Sequence, residues 1–158
     1  MNTQDLKDPQ HRTEEGEASA QYELGMMYYE GRGVPRNYEE AVRLFCKSAR
    51  NEHVDEKFYF GKMCLECKGV QKMNSEHVKS EGLFELRNVA YKDHVGAQLY
   101  LGKIYSEGEV VERDVAEAYK WYKMAATQGN EEAVKKLDEL EKDMSPEEIA
   151  YAQRGPFG

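Results

Sequence analysis

Three stretches of this chain repeat one pattern, and that repetition limits the fold more than any other feature. The first carries Ala18, Ala20, Gln21, Leu24, Gly25, Tyr28, Gly31, Gly33 and Val34, then Asn37, Glu40, Ala41, Phe45 and Ala49. The third carries Ala97, Gln98, Leu101, Gly102, Tyr105, Gly108 and Val111, then Asp114, Glu117, Ala118, Tyr122 and Ala126. Between them lies an eroded copy built on Phe60, Gly61, Gly69, Val70 and Ala90. Gly25 and Gly61 are 36 positions apart, and Gly61 and Gly102 are 41 apart. A period of this length with helical punctuation is the signature of stacked helix pairs. The expected fold class is all-α, an array of about three helix-pair repeats closed by a C-terminal capping helix pair.

The punctuation divides the chain. Residues 1–15 are polar, broken by Pro9, and read as a flexible lead-in. The array spans 16–144, with repeats near 17–52, 53–93 and 94–129 and a partial unit at 130–144. A capping helix and tail fill 145–158. Helices are expected near 17–30, 37–50, 54–67, 75–92, 95–107, 114–128, 131–143 and 146–153. Gly25, Gly61 and Gly102 fall inside helices, where glycine costs about 1 kcal/mol against alanine, so close approach of a neighbouring helix is their expected compensation. Gly31, Gly33 and Gly108 end first helices, where a left-handed backbone is needed. Val34 and Val111 then return the loop to the core. Asn37 with Glu40, Asp114 with Glu117, and Ser145 with Glu148 are spaced as N-terminal capping boxes. Pro146 takes a first helical position, and Met144 and Ile149 are placed for a hydrophobic staple.

Composition narrows the function classes. The net charge is −8, with no basic cluster of the kind a duplex or membrane surface demands. Residues 131–148 hold eight acidic and three basic side chains, which reads as a solvated face or as an attractive field for a basic partner. No stretch approaches the roughly 18 apolar residues of a membrane span. The first residues carry no apolar run, and the three cysteines are odd in number. Both features lead us to expect a reducing, cytoplasmic setting.

The repeated residues resemble the Sel-1-like repeat family, a relative of the tetratricopeptide repeats. The first and third copies match its pattern at most positions, and Gln128, Gly129 and Asn130 match its inter-repeat junction. The loop glycines and the valine after them separate it from ordinary tetratricopeptide repeats. The resemblance covers about residues 16–144. It implies a right-handed superhelical solenoid, with first helices on a concave face and second helices outside. It also implies a mostly non-catalytic role as adaptor, scaffold or inhibitor. The middle copy departs from the pattern: Glu56 stands where the others have Ala20 and Ala97, Cys64 replaces Tyr28 and Tyr105, and Gly82 replaces Ala41 and Ala118. Its loop from Lys68 to Ser80 is longer by about five residues. Drift in an internal repeat and a loop shaped for a partner are both open readings.

Little in the chain points to chemistry. Cys64 and Cys67 form a C-x-x-C, and His77 on the long loop is the third group a zinc site there would use, but a structural zinc needs four ligands. The preferred reading is that Cys64 fills core volume and that no metal or cofactor is bound. His11, His53, His77 and His94 share no pattern with a nucleophile. The first-helix stripe is the better candidate for binding. Ser19, Tyr22, Met26 and Tyr29 fall on it in the first copy, Phe58, Lys62 and Leu65 in the second, and Leu99, Lys103 and Ser106 in the third. Tyr22, Phe58 and Leu99 read equally as packing between repeats, whereas Met26, Tyr29 and Leu65 read as contact residues. The expected function is therefore a non-catalytic, monomeric binding module with a protein partner and no nucleic acid or membrane. Within that class we expect a dedicated bacterial inhibitor or immunity protein acting on a basic toxin or effector. A general adaptor or regulatory scaffold is the alternative. An enzyme acting on β-lactam or cell-wall substrates is allowed by the resemblance but lacks any serine-lysine motif here.

Overall fold

A computed structural model describes residues 18–49, 54–66 and 75–154. All regular structure among the described residues is helical: α1 (Ala18–Glu30), α2 (Tyr38–Ala49), α3 (Val54–Glu66), α4 (Ser75–Tyr91), α5 (Val95–Glu107), α6 (Val115–Thr127), α7 (Glu131–Lys142) and α8 (Pro146–Arg154). These limits agree with the expected ones to within a residue or so at each end. The expected lead-in at 1–15 lies outside the described residues, as do positions 68–74 of the long middle loop; the rest of that expected loop, His77 included, is instead the start of α4. No helix among the described residues is long and apolar enough to cross a membrane. The chain divides into two compact units, Met1–Leu86 and Arg87–Gly158, and the division falls inside α4.

In the first unit α1 packs on α2 and α2 on α3. Ala20, Ala41, Leu44 and Phe45 are fully buried. A Cβ on Gly25 would lie 2.8 Å from the Phe45 ring, so the missing side chain makes room for that ring. The middle copy solves the same contact differently. A Cβ on Gly61 would lie 2.7 Å from Leu86 and 2.8 Å from the Gly82 carbonyl oxygen, and a Cβ on Gly82 would lie 2.6 Å from Cys64 Cβ. Leu86 stands where the other copies place Phe45 and Tyr122. The smaller side chain lets α3 and α4 meet backbone to backbone, and Gly82 and the buried Cys64 are what that approach requires. Gly82, Leu86 and Cys64 are thus a matched set. This accounts for two of the departures that drift would leave unexplained.

In the second unit α5 packs on α6 and α6 on α7. Gly102 faces the Tyr122 ring as Gly25 faces Phe45, with a hypothetical Cβ 2.7 Å from it. Trp121, Tyr119, Leu101 and Gln98 are almost wholly buried. Gln98 is satisfied there. Its amide nitrogen donates to the Ala90 carbonyl at 2.9 Å, and its oxygen accepts from Gln128 Nε2 at 2.8 Å. A buried amide paired at both ends adds about 1 kcal/mol per bond and fixes which neighbours meet.

Gly31, Gly33 and Gly108 have φ of 72°, 76° and 75°, the left-handed values expected of them. Val34 and Val111 are half-buried rather than core residues. The capping boxes are reciprocal at one site only. At the start of α8, Glu148 N–H donates to Ser145 Oγ and Ser145 N–H donates to Glu148 Oε2. At α2 and α6 the forward bonds form, from Glu40 N–H to Asn37 and from Glu117 N–H to Asp114. The return bonds do not, because the cap residues' own N–H groups donate to the carbonyls of Tyr28 and Tyr105. Helix α8 packs on α6 and donates from Gln153 to the Tyr119 hydroxyl, although none of its own residues is buried.

Candidate protein-binding face

The first unit gathers aromatic rings on the side where α1, the start of α2 and α3 come together. Tyr59 is the hub. Its ring lies 6.1 Å from Tyr22, 6.0 Å from Tyr29, 5.8 Å from Phe45 and 5.2 Å from Phe58. Tyr29 also meets Tyr38 at 5.7 Å, and Tyr22 meets Phe45 at 5.9 Å. The centroid spacings and tilts are those of attractive ring pairs. Phe45 is buried, whereas Tyr22, Tyr29, Tyr38, Phe58 and Tyr59 are half-buried, so each keeps part of its surface exposed. Met26 packs with them on the same apolar cluster. Cations rim the face: Lys62 Nζ sits 5.9 Å from the Phe58 centroid, and the Arg36 guanidinium 5.7 Å from that of Tyr38.

Of the sequence-predicted stripe, Tyr22, Met26, Tyr29, Phe58 and Lys62 are brought together here. Leu65 is a correction. It was expected to contact a partner, but it is 3% exposed. Met63, Cys64 and Leu65 are buried in succession. Consecutive helical residues point about 100° apart, so this end of α3 is enclosed on most sides, and only the side of Lys62 and Glu66 is partly exposed. Tyr59 and Tyr38 were missed. Repeat alignment pairs Tyr59 with Glu23, which is exposed, and that equivalence concealed it. The run Phe58-Tyr59-Phe60 was the available signal, because three consecutive aromatic residues on a helix cannot all face water.

Burial, reinforced by the negative charge of Tyr59, Asp55, Glu56 and Glu30, pushes the Tyr22 hydroxyl up to about 12 from 10.0. Burial also raises Tyr59, Tyr105 and Tyr122. Below pH 10.0 both folded and unfolded chains keep the Tyr22 proton, and its contribution to stability is fully present. Between 10.0 and about 12 the unfolded chain gives it up first, so stability falls as pH rises through that window. Alkaline melting curves should show that fall, and Tyr22→Phe should flatten part of it. A parent melting point that stays level across the window would contradict the burial described.

The second unit holds the rest of the predicted stripe, with Leu99 half-buried and Lys103 exposed. It also contains a polar and aromatic network that sequence reasoning did not anticipate. Arg87 donates to the Tyr105 hydroxyl at 2.6 Å and lies 3.8 Å from Glu117, which accepts from Trp121 Nε1 at 3.2 Å. Lys120 donates to the Tyr91 hydroxyl at 2.7 Å and lies 4.5 Å from the Trp121 ring centroid. As for a metal, Cys67 lies outside the described residues. No group of three or more metal-ligating side chains is gathered among the described residues.

The helix pairs, the ring-facing glycines and the loop ties define an α-solenoid of the helix-pair repeat class. The Sel1 repeat model matches residues 18–53 and 95–130, so the chain carries Sel1 repeats and is a Sel1-repeat protein. A protective antigen of uropathogenic Escherichia coli strains displaying an SLR fold is 32% identical in sequence, with a TM-score of 0.69 over 81% of this chain. A Sel1 repeat protein from Oxalobacter formigenes is 27% identical, with a TM-score of 0.64 over 77%. The alginate biosynthesis protein AlgK of Azotobacter vinelandii is 26% identical over 79% of this chain. The chain spans 26% of the length of AlgK, 26% of the protective antigen and 48% of the Oxalobacter protein. Sel1-repeat proteins generally mediate protein–protein interaction, and their fold is typically a non-catalytic scaffold.

Proposed function

We propose that this chain holds a protein partner on the tyrosine-rich face of its first unit and performs no chemistry on it. The observation that carries the reading is the set of half-buried rings, Tyr22, Tyr29, Tyr38, Phe58 and Tyr59, packed against one another with Met26 beside them. Aromatic and methionine side chains are enriched at interface centres. Rings already fixed by their neighbours lose little rotamer freedom on binding. Lys62 at the rim of that face, and Leu99 and Lys103 on the second unit, are proposed as further contacts.

In the finer reading the partner is a toxin or effector that this chain inhibits. The net charge of −8 supports it by favouring association with a basic surface. A second reading, a general adaptor or scaffold in complex assembly, is supported by the Sel1 repeats, which generally mediate protein–protein interaction.

The test is affinity capture from native extract with the parent chain, the double variant Met26→Glu/Tyr29→Glu, and the rim variant Lys62→Glu. The double variant is expected to lose the captured protein while keeping its helical circular dichroism. Lys62→Glu changes the charge at the rim without touching the core, so a change in capture in either direction supports a partner seated there, and it serves where the double variant melts early. Equal capture by all three chains would overturn the reading. Adding the chain at one equivalent to the captured partner then separates the two versions, since an inhibitor abolishes its activity and a scaffold leaves it intact.

A further inference from the structure

The second unit contains a cleft where the start of α6 faces α8. Its volume is about 440 Å³, within the roughly 300–1,000 Å³ typical of ligand pockets. The floor is apolar, made by Val115, Ala116 and Met144, the last buried. Tyr151 forms one wall and is 58% exposed, so its ring is available to a ligand. The charged lining is Asp114, Glu147 and Glu148 against Arg113.

We propose that this cleft is a binding site for an arginine side chain presented by an extended segment of a protein partner. The charge balance selects a cation. Three carboxylates against one guanidinium leave a formal −2. The N-termini of α6 and α8 offset about half a charge each, which still leaves roughly −1. Among the three acids the engagement differs. Asp114 accepts from Glu117 N–H and Glu148 accepts from Ser145 N–H, each serving as a cap. Glu147 makes no hydrogen bond or ion pair among the described residues, so both its oxygens are open to a ligand.

Arginine fits this lining better than lysine or a small cation. Its methylene stem covers Val115 and Met144, its planar head stacks on Tyr151, and its forked N–H groups meet the Glu147 carboxylate. The site lies within the second unit and uses no residue of the tyrosine face, so it stands or falls separately from the reading of that face. It also gives the acidic C-terminal segment a specific use, because Glu147 and Glu148 belong to the stretch where most of the negative charge collects.

The test is a titration of the full ¹⁵N-labelled chain with a capped Leu-Arg-Leu peptide, with its citrulline counterpart and with inorganic phosphate. The arginine peptide should shift the amides of Val115, Ala116, Glu148 and Tyr151 saturably. The uncharged citrulline peptide should bind at least about fivefold more weakly, as loss of a charge-assisted contact implies. Glu147→Gln and Tyr151→Ala should each weaken the arginine peptide by about two- to fivefold. Both residues are exposed, so the fold survives either change, and melting curves verify it. Three results would overturn the proposal: no saturation, equal binding of the citrulline peptide, or phosphate rather than arginine moving these amides.

Discussion

Gly82→Ala is expected to lower stability by up to about 2 kcal/mol, although alanine is the better helix former. The propensity gain is about 1 kcal/mol. Against it stands a methyl group placed 2.6 Å from Cys64 Cβ and 2.8 Å from the Gly61 carbonyl oxygen. Overpacking of this kind costs about 1–3 kcal/mol and more where the obstacle cannot move, and a helix backbone cannot rotate aside as a side chain can. A loss of that size corresponds to roughly 4–8 °C in melting temperature for a chain of this length. Gly102→Ala is the informative comparison, because its methyl meets the Tyr122 ring, 2.7 Å away, and a ring can shift. The ordering Gly82 above Gly102 in cost is therefore the sharper expectation. A Gly82→Ala chain that melts at or above the parent would show that α3 and α4 do not approach as described.

Trp121→Ala should be more damaging still. The indole is fully buried, and truncating a buried tryptophan costs about 3–5 kcal/mol. That is a large share of the roughly 5–15 kcal/mol that holds a domain folded. Further losses follow from its neighbours. Glu117 loses the indole N–H, Lys120 loses the ring it lies over, and Tyr91 loses the tilted ring neighbour at 5.0 Å. Trp121→Phe separates these effects. It keeps most of the volume and the ring contacts but removes the N–H, so a loss nearer 1 kcal/mol is expected. Urea unfolding of the two variants measures both numbers. Equal losses would assign the effect to the hydrogen bond rather than to packing.

These variants also show where sequence reasoning succeeds and where it stops. Local rules carried the helix limits, the left-handed loop glycines and the caps, because each depends on residues only a few positions apart. Gly25 and Gly102 were correctly read as making room for a neighbouring helix. The middle copy resisted for a physical reason. Gly82 is explicable only together with Leu86 and Cys64, three side chains on two helices, and no single position shows that coupling. The capping boxes at Asn37 and Asp114 were over-read for a similar reason. Spacing predicts the return bond, but a carbonyl from the preceding helix takes the N–H first. At the tyrosine face, counting along one stripe found Tyr22, Met26 and Tyr29 but wrongly included Leu65 and passed over Tyr59. Stripe counting assumes one buried side per helix, and the end of α3 is enclosed on several. The cleft beside α8 was invisible for want of any motif, since its walls come from separated segments.

One feature of the loops bears on how such a chain can change. In the first and third copies the N–H of the residue before the second helix, Asn37 or Asp114, reaches back to the carbonyl of Tyr28 or Tyr105, nine positions earlier in both cases. That bond is a ruler. Adding or deleting a residue between its ends would put the wrong N–H opposite the carbonyl and misplace the start of the next helix. Length variation is therefore costly in those two connections, and new recognition sequence is better grafted into the middle connection, where the chain already departs from that spacing.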